Sequence, residues 1–219
     1  MPTYKTLPSS KKSEELPLYR PIDDLVYSVW KKKDFLLPFV VVAVIALLGF
    51  VGFKSYVSHY ESKASDLFNQ GQLEAVIQQY GRSNAARLAR MKLGKQALDT
   101  KDAKDFDKAI QWYGAVAEDQ NAPPILKVAA VQNLALAYLK KGDAAKAVSL
   151  LDQLSKDPFN RTADYTQLLL AYATEVKGDT DAAKNLYKSL SEGASDAAIK
   201  DEAKERLSWI EKGNEKPSK

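Results

Sequence analysis

The chain has 219 residues, enough for one domain or for one domain plus an anchor. Because 45% of the residues are hydrophobic and 27% are charged, the chain is neither disordered nor wholly membrane-embedded. Its formal net charge of +4 is dispersed, without an arginine-rich run, so nucleic acid is not an expected partner. The lack of cysteine excludes disulfides, thiol catalysis and cysteine metal sites.

Residues 1–34 form a tail ahead of the most hydrophobic part of the chain. Four prolines lie among charged residues in this tail, which predicts an irregular chain. From Ile22 to Trp30, apolar residues recur at helical spacing just before Lys31–Lys33, which predicts a short interfacial helix on the membrane surface. A docking helix for a partner protein is the alternative interpretation of this segment.

An apolar run, FLLPFVVVAVIALLGFVGF, extends from Phe35 to Phe53. At 1.5 Å per residue it spans roughly 28 Å, close to the ~30 Å hydrocarbon core of a bilayer. A buried core helix is disfavoured because such helices are rarely apolar on every face. A cleaved signal peptide is disfavoured because the run begins late and no small-residue exit site follows it. We therefore predict a transmembrane helix over residues 35–54.

The flanking charges indicate the orientation of this helix. Lys31–Lys33 and Arg20 precede it, whereas Lys54 and Lys63 are the nearest basic residues after it. Because cytoplasmic flanks carry the excess of Lys and Arg, we predict that the tail is cytoplasmic and that the rest of the chain lies across the membrane. In a Gram-negative bacterium this means a single-pass inner-membrane protein with a periplasmic domain.

From Ser55 onward, apolar positions recur at spacings of three and four, and no period-two run predicts a strand. Residues 129–160 contain the fullest copy of a repeat, and partial copies lie before and after it. The recurring positions are the glycines Gly142 and Gly178, the small residues Ala109, Ala147 and Ala183, and the larger residues Tyr113, Leu151 and Tyr187 four positions beyond them.

Each position in the fullest copy has a mechanical interpretation. Ala135 and Ala147 allow two antiparallel helices to cross closely. Gly142 provides the positive-φ turn between these helices, and Asp143 caps the second one. Pro158 ends the second helix. The same roles are expected in the next copy for Ala171, Ala183, Gly178 and Asp179.

These positions resemble the tetratricopeptide repeat, most strongly over residues 128–158. The resemblance implies an all-α chain, in which the transmembrane helix is followed by an α-solenoid of antiparallel helix pairs. About three degenerate repeats are expected between residues 62 and 211, closed by an amphipathic C-terminal helix. We expect the helical domain to cover residues 55–211 and a disordered tail to cover 212–219.

The order of segments across the whole chain resembles a narrower family. KKKDFLLPFVVVAVIALLGFVGF is followed by SYVSHYESKASDLFNQGQLEAVIQQY and then by LAYLKKGDAAKAVSLLDQL. This layout resembles the YfgM-like ancillary subunits of the SecYEG translocon. The resemblance implies partners among translocon subunits, a periplasmic chaperone and exported client chains.

No constellation of residues in the sequence predicts catalysis. His59 is the only histidine, and a metal site there would need further ligands that the sequence does not supply. Asp102, Asp105 and Asp107 are explained as residues of turns and helix starts. Glycine-rich phosphate loops are absent from the sequence. We expect a protein that is not an enzyme, with no cofactor, no metal and no small-molecule substrate.

The resemblance to the tetratricopeptide repeat implies that the first helix of each pair lines the concave face of the solenoid, and we predict the binding site on this face. Leu168 and Leu169 occupy positions where a clamp for acidic C-termini would need basic residues, so an extended apolar segment or a partner helix is the better ligand. The alternative is that these side chains pack against an adjacent helix. The candidate groove residues are Gln132, Asn133, Leu136, Tyr165, Leu168 and Tyr172.

The anchor and the repeats together are compatible with two functions. The first is a membrane-anchored protein–protein interaction module, an ancillary component of a translocon or periplasmic chaperone network that assists exported proteins. The second is a structural subunit or assembly factor of another envelope complex, in which the repeats would be a fixed scaffold.

Overall fold

The computed structural model describes Tyr27, Trp30, Lys31, residues 33–100 and residues 102–212. Among these residues all regular secondary structure is helical, which confirms the predicted all-α class. Most of the predicted N-terminal tail and interfacial helix, and the predicted C-terminal tail beyond Lys212, lie outside the described residues. The helices are α1 (Lys33–Asn69), α2 (Leu73–Gln79), α3 (Asn84–Leu98), α4 (Ala103–Ala117), α5 (Pro124–Lys141), α6 (Ala144–Ser155), α7 (Ala163–Lys177), α8 (Thr180–Gly193) and α9 (Ala197–Glu211).

The chain divides into two compact units between Val57 and Ser58. The first unit contains the apolar part of α1, where every described side chain from Phe35 to Val57 is exposed. Pro38 lies in the second turn of the helix and does not interrupt it. Among the described residues, α1 is the one helix that is long and apolar enough to cross a membrane.

In the second unit, consecutive helices from α2 to α9 pack against one another. The connections between them are short, which favours an antiparallel arrangement of neighbours. The pairs are α3 with α4, α5 with α6, and α7 with α8, and α9 follows as a closing helix packed on α8 and α7. We call α3, α5 and α7 the first helices and α4, α6 and α8 the second helices. Contacts between α5 and α7 and between α7 and α9 extend the packing from one pair to the next, as in a solenoid.

The turns inside two pairs have the predicted chemistry. Gly142 and Gly178 adopt φ values of 90° and 96°, a left-handed conformation that side chains with a Cβ disfavour. Asp143 and Asp179 follow them, and each side chain accepts a hydrogen bond from a backbone N–H in the first turn of the second helix. These glycines and caps therefore reverse the chain where the sequence predicts the reversal.

Small residues lie at the helix crossings, also as predicted. Ala135 and Ala147 are fully buried in one core cluster, and Ala171 and Ala183 are fully buried in the next. The sequence did not identify the corresponding residue in the α3–α4 pair, which is Gly94. A Cβ placed on Gly94 would lie 2.9 Å from the Tyr113 ring, so only glycine admits this tyrosine at its present depth.

Candidate partner-binding face

Hydrogen bonds join neighbouring first helices. Lys140 of α5 donates a hydrogen bond of 2.6 Å to the Leu98 carbonyl at the end of α3. On the other side of α5, the Gln132 amide reaches the hydroxyl groups of Thr162 and Thr166 at α7. We define the first-helix face by residues of these helices that are exposed or half-buried. The exposed ones are Lys92, Lys140, Tyr165, Tyr172 and Val176, and the half-buried ones are Asn133 and Leu136.

Two of the six predicted groove residues are buried. Gln132 is 7% exposed, and its amide donates to both threonine hydroxyls at 2.9 Å. Leu168 is 6% exposed and belongs to the core cluster formed by α7, α8 and α9. In this structure their side chains hold neighbouring helices together, which is the packing alternative that the sequence left open for them.

Asn133 and Leu136 are half-buried on α5. The Asn133 amide donates a hydrogen bond of 2.8 Å to the Ala129 carbonyl of its own helix. Leu136 packs against two core clusters, one of which includes α4 and the other α7. Both residues are thus only partly exposed on the first-helix face.

Tyr165 and Tyr172 are the most accessible of the predicted residues. They are 41% and 37% exposed, and their spacing of seven residues places them on the same side of α7. Val176, which is 48% exposed and four residues beyond Tyr172, continues the row. Sequence reasoning missed Val176, although the 3.6-residue period of α7 would have identified it.

A shallow cleft of about 520 Å³ adjoins the row at Tyr165. Ile199 of α9 and Arg161 lie on its walls. The Asp164 carboxylate in the same cleft accepts a hydrogen bond of 2.7 Å from the Ser195 backbone N–H, which ties α7 to the turn before α9. The apolar surface offered by Tyr165 and Ile199 therefore has a fixed polar rim.

Tyr172 is connected to a polar network that joins three helices. The Arg206 guanidinium of α9 lies 5.3 Å from the centre of the Tyr172 ring, a cation–π distance. Arg206 also approaches the Glu175 carboxylate at 3.9 Å, and Glu175 accepts a hydrogen bond of 2.8 Å from the hydroxyl of buried Tyr187. Burial, reinforced by the bond to Glu175, raises the pKa of Tyr187. This network orients the exposed ring of Tyr172 from beneath.

Charge is distributed unevenly along the first helices. Neither α3 nor α5 contains an Asp or Glu, whereas the second helices α4 and α6 carry both signs. Three cations of α3 and α5 pair with carboxylates that lie outside both helices: Arg87 with Asp119, Lys95 with Asp99, and Lys141 with Asp107. Lys92 and Lys140 form no ion pair with the described carboxylates, and both lie on the first-helix face.

The shifted pKa values of Asp119 and Tyr113 have structural causes. Arg87 is buried and donates to the Asp119 carboxylate at 2.7 Å, and this bond holds the pKa of Asp119 below its usual value. Burial raises the pKa of Tyr113 to about 12, with a further contribution from Asp99. In the part of the chain that the structure describes, no group of three or more His, Cys, Asp or Glu residues is arranged to hold a metal ion.

No family model, curated protein or solved structure matches the chain. The fold and the exposed face define its class: an all-α helical-repeat protein with one candidate membrane-spanning helix near its N-terminus. The resemblance to the YfgM-like family stays a prediction from the sequence.

Proposed function

We propose that the protein is a membrane-anchored protein–protein interaction module that assists exported proteins as an ancillary component of a translocon or periplasmic chaperone network. The observation that carries this proposal is the row formed by Tyr165, Tyr172 and Val176, which is exposed along one side of α7. Exposed aromatic side chains on a rigid support favour protein binding, because they contribute contact area at a low cost in conformational entropy.

The proposed topology places α1 across the bacterial inner membrane, with the N-terminus in the cytoplasm and the helical domain in the periplasm. Its support is the apolar length of α1 together with the lysines that precede it. Protease added to spheroplasts is expected to digest the helical domain and spare the tail. Protection of the helical domain would reverse the orientation and remove the periplasmic role.

Site-specific photo-crosslinking in native membranes tests the binding role. A photoreactive amino acid at Tyr172 is expected to give discrete adducts with export components or their clients. The matched control is the same amino acid at Lys188, which is exposed on the second helix α8. Equal adducts from both positions, or none from Tyr172, would contradict binding at the first-helix face.

Native gels of the same membranes separate the two functions that the sequence allows. A helper is expected to be partly free, so that only a fraction of it migrates with its partner. Complete co-migration with one envelope complex at fixed stoichiometry would identify a structural subunit instead.

A further inference from the structure

We infer that the partner presents a segment in which carboxylates lie beside large apolar side chains, and that Lys92 and Lys140 receive the carboxylates while the tyrosines of α7 receive the apolar side chains. This inference rests on the proposed function, since it specifies the chemistry of the segment bound at the first-helix face. Its basis is the contrast between the α3–α5 end of the face and the α7 end.

The α3–α5 end is cationic. Asn133, Leu136 and Lys140 recur at spacings of three and four, so they lie along one side of α5. The Lys140 ammonium is fixed against the Leu98 carbonyl, which places it beside the last turn of α3, and Lys92 is two turns earlier on that helix. Lys92 also lies over the Phe68 ring at 5.7 Å, which restrains its position without neutralising its charge.

The α7 end is aromatic, and the two carboxylates near it already have partners within the protein. Glu175 is engaged by Tyr187 and Arg206, and Asp164 is engaged by the turn before α9. What remains exposed on this side of α7 is the row formed by Tyr165, Tyr172 and Val176. The binding free energy of a ligand at this end therefore comes mainly from the burial of apolar surface.

A single ligand that covers both ends must therefore carry unlike chemistry along its length. An entirely apolar segment would cover Lys92 and Lys140 without a counter-charge, and the desolvation of an unpaired ammonium opposes binding. An entirely acidic segment would leave the aromatic row unused. A segment with acidic residues adjoining leucine or phenylalanine satisfies both ends, and charge complementarity fixes its direction.

Fluorescence anisotropy with the full-length protein in nanodiscs tests this inference. The probe is a fluorescein-labelled peptide of about twelve residues, long enough to span roughly 40 Å when extended, with glutamates in one half and leucine and phenylalanine in the other. The matched probe has glutamine in place of each glutamate. We expect the glutamate peptide to bind about three- to tenfold more tightly, with the difference shrinking as salt is raised.

Variants test whether the difference in affinity between the two peptides is due to Lys92 and Lys140. The double variant Lys92→Gln, Lys140→Gln is expected to remove the preference for glutamate, whereas Lys184→Gln, Lys188→Gln on α8 is expected to retain it. Because Lys140 also bonds the Leu98 carbonyl, Lys92→Gln alone serves as the milder variant and is expected to halve the preference or more. Tyr172→Ala is expected to weaken both peptides equally.

The outcomes distinguish this inference from the proposed function. Equal binding of the two peptides would overturn the acidic requirement and leave the protein-binding face standing. Failure of both peptides to bind would overturn the inference, while the crosslinking at Tyr172 would still decide the proposed function by itself. A dimer that dissociates in the Lys92→Gln variant would show that a second copy covers the face, and this too would overturn it.

Discussion

Two helix pairs bury a tyrosine at the same repeat position, but the two tyrosines have different neighbours. Tyr113 packs against Gly94 in the α3–α4 pair, and Tyr187 belongs to the cluster that contains Ala171 in the α7–α8 pair. Both rings are 1% exposed. The Tyr187 hydroxyl donates to Glu175, and Glu175 is linked through Arg206 to Tyr172 on the first-helix face.

In the α3–α4 pair the main polar contact lies elsewhere. Arg87 joins α3 to Asp119 in the loop after α4, and it also bonds the Asn84 side chain at the start of α3. One repeat position thus serves two purposes: in the first pair the tyrosine fills space beside a glycine, and in the third it anchors a network that supports an exposed residue. Variants of the two pairs test this contrast, from the largest expected effect to the smallest.

Removing the Asp119 carboxylate is expected to have the largest effect. Asp119→Ala leaves the Arg87 guanidinium without its counter-charge, although the Arg87 side chain is only 6% exposed. We therefore expect the substitution to lower the free energy of unfolding by about 2–3 kcal/mol. Urea unfolding followed by circular dichroism measures the loss. The matched variant Asp201→Ala removes an exposed partner of Lys204 on α9 and is expected to change stability by less than about 0.5 kcal/mol.

The stabilisation from Asp119 is also expected to depend on pH. Its folded pKa is lowered, so its contribution is present above the unfolded value of about 4 and is lost as the pH falls through the folded pKa. The stability difference between the wild-type protein and Asp119→Asn should therefore narrow below pH ~4. A difference that stayed constant down to pH ~2 would mean that the carboxylate charge is not what stabilises the α3–α4 pair.

Alanine at two helical glycines is expected to act in opposite directions. Gly94→Ala places a Cβ 2.9 Å from the Tyr113 ring, and overpacking should cost ~1–3 kcal/mol even though alanine is the better helix former. Gly114 of α4 has no atom within 4 Å of its Cβ position, so Gly114→Ala should stabilise by up to ~1 kcal/mol. Thermal melts of both variants provide the comparison, and stabilisation by both would contradict a close contact at Gly94.

Removing the hydroxyl group of Tyr187 or of Tyr113 tests directly whether the two tyrosines stabilise their helix pairs differently. Tyr187→Phe leaves Glu175 without its shortest hydrogen bond and is expected to cost ~1 kcal/mol. Tyr113→Phe is expected to cost less, but it should reduce the sensitivity to alkali. The pKa of Tyr113 is raised to about 12, so its stabilising contribution is present below the unfolded value of about 10 and is lost between pH ~10 and ~12.

Urea unfolding midpoints measured from pH 8 to 11 test the predicted contribution of Tyr113 to the sensitivity to alkali. Wild-type protein should lose more stability over this range than Tyr113→Phe does. If Tyr187→Phe were no more damaging than Tyr113→Phe at neutral pH, the bond to Glu175 would not distinguish the third pair from the first.

Tyr172→Ala is expected to have the smallest effect on stability, below about 1 kcal/mol, because the side chain is more than a third exposed and its ring is held mainly by the cation–π contact with Arg206. Its effect should appear in crosslinking and peptide binding instead. Ala147→Phe is the contrasting variant, since it overpacks a fully buried crossing. Equal losses of melting temperature in the two variants would place Tyr172 in the core and exclude it from the first-helix face.

The sequence by itself determined much of the architecture, because helix periodicity and turn chemistry are local. Gly142 and Gly178 were identified as positive-φ turns, and Asp143 and Asp179 as caps, since each role depends on residues only a few positions away. Ala135 and Ala147 were identified as crossing residues because a close approach of paired helices requires small side chains. The apolar length of α1 is likewise a property of consecutive residues.

Tertiary structure decided which residues of the first helices are accessible. Gln132 and Asn133 are adjacent and polar, but Gln132 is bonded to two threonines some thirty positions away, whereas Asn133 bonds within its own helix. Leu168 and Tyr172 share one side of α7, but the packing of α8 and α9 buries the first and leaves the second exposed. Gly94 gained its role only through Tyr113, which lies nineteen positions away on the next helix. Periodicity places a residue on a side of a helix, but its burial depends on which distant helix packs there.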